Sequence, residues 1–360
     1  MAIIGTCFRY VFSALVCYLL VSSSMLKAED RTLVILTWED YIDPEIVSEF
    51  EQQNAVKLSF VYYEDDDARD LIMANSNATG FDLVLVDEVM KGSYQQQGWI
   101  SAISTDAYPN LKFVEHPEEK LGLSGEVYAV PYFWGTIGIL YHPDQFPEEI
   151  THWLDFFQPP ENLKSKLLVL NTAQTAFGIA LKALGYSVNS VSTPELEKAM
   201  MLLKKQRPFV KEYRNVLFDE SEPLLKGELA AALTYNGDAA VLMEMNNKLR
   251  FVIPEDGSIF WYDSWIILSS SNQKTLASKF INFLNQPEVN ARNAEFVSYA
   301  TPNVEAKKFL SQEHLSNPIS YPNASIMARL EVVKQLPLAV MKRIHTDFVT
   351  ITHSSSQGVE

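Results

Sequence analysis

The residues best placed to do chemistry lie in the stretch Ile259 to Trp265, where Phe260, Trp261, Tyr262 and Trp265 surround a single carboxylate, Asp263. Aromatic rings around an acid suit a desolvated organic cation. A ring face attracts an ammonium group by roughly 0.5 to 2 kcal/mol, and a carboxylate adds a charge-assisted hydrogen bond of about 1.5 to 3 kcal/mol. Neither group performs covalent chemistry alone. The plainer alternative is a buried strand, in which alternation places Ile259, Trp261, Asp263 and Trp265 on one face, with Asp263 serving only to cap a turn. A second group of the same kind, Trp38-Glu39-Asp40-Tyr41, lies near the N-terminus, and Asp87 closes a later apolar run. Catalytic constellations are missing. The chain has no GxxxxGK loop, no HExxH helix and no GxSxG elbow, and its six histidines are scattered without metal-ligand spacing. No cofactor, metal or enzymatic activity is therefore expected.

The elements that must position these groups begin as strand, helix, strand, helix, strand. Thr32 to Thr37 is a nearly continuous apolar run, as a strand covered on both faces requires, and Asp43 with Pro44 opens a helix. Val56 to Tyr62 alternates as a second strand, Asp65-Asp66-Asp67 caps another helix, and Phe81 to Val86 forms the third strand. In such βαβαβ units ligands bind beyond the carboxyl ends of the strands, which is where Trp38 to Tyr41 and Asp87 fall. Asp87 is equally suited to capping the next helix. Tyr128 to Tyr141, interrupted by Pro131 and Gly135, suits a strand leaving one lobe for another. The alternating pattern then resumes: a strand at Leu167 to Leu170, a helix capped by Asn171 or Thr172, a helix from Thr193 to Pro208, a strand at Leu229 to Thr234, and helices at Gln273 to Asn285 and Val304 to Leu310.

Residues 1–28 have the composition of a signal peptide, with Arg9 ahead of an apolar run and Ala28 as the expected cleavage residue; a cut nearer Ser24 and an uncleaved signal anchor are the alternatives. Both cysteines, Cys7 and Cys17, lie inside it, so the exported chain has no thiol chemistry and the expected location is the periplasm. Cleavage removes Arg9 and Lys27 from a chain with 29 Lys and Arg and 45 Asp and Glu, deepening the formal charge from −16 to −18. Such a charge repels nucleic acid and favours cationic partners. No later apolar run approaches the roughly 20 residues needed to span a bilayer. The last residues, 349–360, are polar and are expected to fray.

Seven ordered stretches resemble one family: TWEDY at 37–41, the strand ending at Val86, PYFWGT at 131–136, LKALGYS at 181–187, YNGDA at 235–239, IFWYDS at 259–264 and YATPN at 299–303. On these the chain is similar, from about Thr32 to Lys342, to the periplasmic solute-binding proteins that serve spermidine and putrescine importers. The resemblance implies a two-lobed α/β fold of the type II class, each lobe a central sheet flanked by helices, with the ligand cleft between lobes. Its expected division is lobe I at 29–136 and about 262–302, and lobe II at about 137–261 and 303–348.

Carried over by motif, the resemblance implies that Trp38 and Tyr41 pack on a polyamine and that Asp40 replaces the family's glutamate. Tyr235 stands where a tryptophan is usual, Trp261 and Asp263 hold the ligand's central region, and Tyr299 forms a further wall. The departures are as informative. Thr172 and Thr175 replace two acids that anchor a terminal ammonium, whereas Glu39 and Asp87 add acid in the first lobe. Moving carboxylates changes the preferred spacing of cationic groups. The expected ligand is norspermidine, with spermidine, and the substitutions resemble a sensor branch that reports to an inner-membrane cyclic-di-GMP receptor and so controls biofilm formation. The alternative is the substrate-binding component of a spermidine/putrescine ABC importer.

Overall fold

The computed structural model describes residues 31–116 and 123–353; the expected signal segment and both cysteines lie outside the described residues. The chain opens with β1 (Thr32–Thr37), α1 (Pro44–Asn54), β2 (Lys57–Tyr62), α2 (Asp66–Ser76), β3 (Leu83–Asp87) and α3 (Glu88–Gln96). β1 lies between β2 and β3 and is parallel to both, and the apolar side chains from Leu83 to Val86 are fully buried. This is the expected βαβαβ unit. β2 deviates at its end: Tyr62 is 48% exposed, because β2 is the outermost strand and its last residues project past the core. The acidic run opens α2 as expected, with Asp65 accepting the Ala68 N–H at 2.7 Å.

Short strands β4 (Ile100–Ser101), β5 (Ile103–Ser104) and β6 (Glu126–Val127) precede β7 (Val130–Tyr141), which runs unbroken through Pro131 and Gly135. Pro131 is accommodated because the β7 pairing with a later strand is irregular there. Next come α4 (Trp153–Phe157), β8 (Leu167–Val169), α5 (Ala173–Ala183), α6 (Thr193–Gln206), β9 (Val210–Tyr213), β10 (Ala231–Tyr235), α7 (Asn236–Met245), β11 (Arg250–Val252) and β12 (Ile259–Leu268). The C-terminal part supplies α8 (Lys274–Leu284), α9 (Pro287–Phe296), α10 (Gln312–Ser316), α11 (Ala324–Met327), β13 (Glu331–Val332) and α12 (Leu338–His353).

Two expectations fail here. Val304 to Leu310 is not an α-helix but a single 3-10 turn at Ala306–Lys308, where the Asn303 side chain accepts the N–H groups of Glu305 and Ala306. The tail expected to fray from Val349 is helical through His353, because α12 buries Phe348 and Ile351 and Arg207 donates to the Ile351 carbonyl.

Among the described residues, eleven strands form one curled sheet in the order β2-β1-β3-β12-β7-β10-β8-β9, with β4, β11 and β13 attached beside this path. β7 and β12 pair antiparallel at its centre. Beyond that pairing β12 reaches β3, whereas β7 reaches β10. One large apolar cluster gathers Leu33, Leu85, Phe133, Trp265 and Phe280; another gathers Ile139, Trp153, Leu167, Leu203, Ile259 and Phe348. Tyr235 and Trp261 pack against both clusters. The two central strands therefore carry side chains from one core into the other, and the aromatic pair sits where they meet.

Candidate ligand-binding site

Asp263 lies inside β12, 9% exposed, and accepts a hydrogen bond from the Tyr41 hydroxyl at 3.0 Å. It therefore caps no turn. Strand alternation places Trp261 on the same face, and the ring of Tyr299 meets Trp261 edge-on at 4.8 Å. Tyr235 meets Trp261 at 5.7 Å, and Tyr41 lies 6.0 Å from Tyr299, so the rings form one continuous chain whose Tyr41 end holds the carboxylate. Two of these walls, Tyr41 and Tyr299, are fastened from behind. Asn293 donates to the backbone carbonyl of Tyr41 at 3.3 Å and to the Tyr132 hydroxyl at 2.5 Å, while Tyr299 donates to Asp238 at 3.0 Å.

Two motif glycines allow this packing. A Cβ at Gly135 would sit 2.5 Å from the Trp261 ring, and one at Gly237 would sit 2.3 Å from the Tyr299 ring. Every side chain larger than hydrogen would force these rings to shift.

Burial makes these groups poor ions and good donors. Desolvation, then the charges of Asp66 and Asp87, pushes the Asp263 carboxyl well above its ordinary value, against the pull of the Tyr41 hydrogen bond and Arg69. Asp238 is pushed up to about 6 by burial, with Tyr299 and Thr234 pulling down. Burial also raises the Tyr41, Tyr235 and Tyr299 hydroxyls, so all remain protonated donors. A positive charge placed here would reverse the penalty on Asp263. Among the described residues the buried indole N–H of Trp261 finds no acceptor, and an ammonium has no lone pair to offer it, so a cation would meet the ring face instead.

Asp87 lies directly across the sheet from Asp263, their Cα atoms paired in the β3–β12 ladder. Like charges in that position repel. The chain answers with Arg69, which is 1% exposed and donates to Asp87 at 2.6 Å, Asp66 at 2.7 Å and Asp70 at 2.9 Å. The other Asp87 oxygen accepts the Met90 N–H and caps α3, so the helix-cap role and the ion pair hold together. The guanidinium lies 5.7 Å from the ring of Tyr63, which in turn lies 4.5 Å from Trp38. Desolvation and Asp87 push Asp66 up to about 7 despite Arg69, although its side chain is still 37% exposed to water.

The other expected residues are placed less centrally. Glu39 and Asp40 are exposed on the turn after β1, and Asp40 holds a left-handed φ of 53°. Their charges reach Tyr62, whose hydroxyl is raised mainly by burial and then by these two acids. Thr172 occupies the N-cap position of α5 without a side-chain capping bond, and Thr175 is buried within that helix. Neither threonine makes a hydrogen bond to the Asp263 group. Arg69, Asp66, Tyr63 and Asp238 were not anticipated as site residues. The available signals were the lone base within Asp-Asp-Asp-Ala-Arg-Asp at 65–70 and the acid of the YNGDA stretch.

The chain matches the family model described as bacterial extracellular solute-binding protein over residues 45–319. It is 31% identical to a spermidine/putrescine-binding periplasmic protein of Salmonella typhimurium, covering 84% of this chain and 87% of that one. It is 29% identical to a norspermidine sensor of Vibrio cholerae, covering 80% of this chain and 79% of the sensor. A solved structure titled putative spermidine/putrescine ABC transporter from Listeria monocytogenes superposes with a TM-score of 0.80 at 30% identity, covering 90% of this chain and 100% of that one.

Proposed function

The chain belongs to the bacterial extracellular solute-binding proteins, which bind ligands and are not enzymes, and from that premise we propose that it is a periplasmic polyamine-binding protein. The observation that carries this is Asp263, a desolvated carboxylate walled by Tyr41, Trp261, Tyr235 and Tyr299 at the junction of the two apolar clusters. An alkyl polyamine matches that chemistry: its ammonium groups satisfy the acid, and its methylene stems pack on the rings. The relatives' periplasmic location fits, and among the described residues no helix is long and apolar enough to cross a membrane.

We further propose that the ligand is norspermidine, with spermidine as a second ligand, held between lobes I and II with Trp38, Glu39, Asp40, Asp87, Thr172 and Thr175 around the central residues. Neutral Thr172 and Thr175 leave one end of the site without carboxylates, which favours a cation of different spacing from spermidine. Lobe closure is then the output. In the sensor reading an inner-membrane cyclic-di-GMP receptor detects the closed form; the alternative partner is an ABC permease, favoured by the likeness to the transporter structure.

Calorimetric titration of the unfolded, stripped and refolded protein with norspermidine, spermidine and putrescine tests this proposal. Norspermidine is expected to bind tightest. Binding of none of the three amines would refute the polyamine assignment. Preference for spermidine or putrescine would transfer support to the importer.

A further inference from the structure

We propose that Arg69 is a built-in counter-cation that sets which amines the site accepts: its single positive charge is shared among Asp66, Asp70 and Asp87, which lowers their pull on a ligand and leaves Asp263 as the carboxylate an incoming nitrogen meets. This rests on the polyamine reading and extends it to selectivity by charge.

The geometry is that of a filled cation position. Nη1 donates to Asp66, Nη2 to Asp70 and Asp87, and Nε to Asp70 at 3.0 Å, so the planar fork is divided among three carboxylates. Tyr94 adds a donor to Asp70 at 2.6 Å. The guanidinium stands between aromatic and acidic parts of the same wall, with Tyr63 and Trp38 on one side and Asp87, cross-strand partner of Asp263, on the other. A guanidinium stays charged at any working pH. A ligand nitrogen approaching Asp87 therefore meets a fixed positive charge beside the acids, and an additional ammonium on a longer amine gains less at this end than it would from the acids alone. The acid added in the first lobe at Asp87 is thus matched by a base of the same lobe.

The test titrates wild type, Arg69→Met, Asp87→Asn and the double variant with putrescine, spermidine and spermine at one ionic strength. The quantity compared is the ratio of the putrescine to the spermine dissociation constant, since it reads charge selectivity separately from general loss of binding. Removing the guanidinium should raise this ratio roughly tenfold, because an unmatched carboxylate rewards each extra positive charge. Asp87→Asn keeps an N-cap side chain for α3 and leaves Arg69 with one acid fewer, so the ratio should fall about threefold. In the double variant the two charge changes cancel, and the ratio should return toward wild type. An unchanged ratio in folded Arg69→Met, judged by circular dichroism and melting, would overturn the proposal and leave Arg69 a purely structural ion pair. Should that variant fail to fold, an unchanged ratio in Asp87→Asn would overturn it equally. Wild-type protein that binds none of the amines would instead remove the polyamine reading beneath it.

Discussion

At the scale of single residues, the site is governed by the cost of burying carboxylates. Among the described residues Asp263 has one strong donor, Tyr41, and no base in ion-pair contact, so the ligand-free protein carries its desolvation. Asp263→Asn keeps the shape and an acceptor for Tyr41 but removes the charge. Polyamine affinity should drop at least tenfold, about 1.4 kcal/mol, in calorimetry, and an unchanged affinity would make Asp263 purely structural. The raised acids also predict a pH dependence. Burial pushes Asp238 up to about 6 and raises Asp66 in the same direction, both from an ordinary 3.8. A raised folded-state value means that the stabilising contribution is complete below about pH 4 and is lost as pH rises through 6 to 7. Glu331, where burial raises the pKa but Lys182 and Ser187 outweigh it, works in the opposite sense. The difference between melts with and without norspermidine isolates the site. The ligand-induced gain in Tm should be larger at pH 8 than at pH 5, because a bound cation offsets the Asp238 and Asp263 carboxyls, which burial holds above their ordinary range and which ionise as pH rises.

At the scale of elements, glycines decide how closely the aromatic walls approach. Gly237 opens α7, and a Cβ there would meet two Tyr299 ring atoms at 2.3 and 2.4 Å. That ring is held by Asp238 and by the edge of Trp261, so it has little room to give. Gly237→Ala should cost about 1 to 3 kcal/mol in urea unfolding and weaken polyamine binding in parallel. A stable variant with full affinity would show that the walls are adaptable. Elements were legible in the sequence where one face or both faces are uniformly buried: β1, β3 and β12 are apolar runs, and Asp43, Asp65 and Asp87 cap their helices as their types suggest. The 3-10 turn after Asn303 and the helical end at 349–353 were not, because side-chain caps and long-range packing override local propensity there.

At the scale of the molecule, β7 and β12 are the strands that take the chain between the two apolar clusters, and Tyr235 and Trp261 touch both. Two bodies joined by a pair of central strands can rotate about them, and a cation drawing both walls inward would shorten the molecule. Small-angle scattering of the stripped protein should show a smaller radius of gyration on adding norspermidine, with the change abolished in Asp263→Asn. A radius insensitive to ligand would argue against closure as the signal.

The sequence by itself determined the α/β class, the family, the absence of catalytic motifs, and the aromatic and acidic character of the IFWYDS and TWEDY stretches. These are local properties: periodicity, side-chain type and short motifs survive in a one-dimensional string. Only the tertiary structure decided which acids already have a basic partner. Asp87 counts as added acid when read along the chain, yet Arg69, eighteen residues away, lies against it at 2.6 Å. Likewise Tyr41 reaches Asp263 across 222 residues, while Glu39 and Asp40, next to it in sequence, face water. Electrostatic energy depends on distance and burial in space, and neither can be read from spacing along the chain.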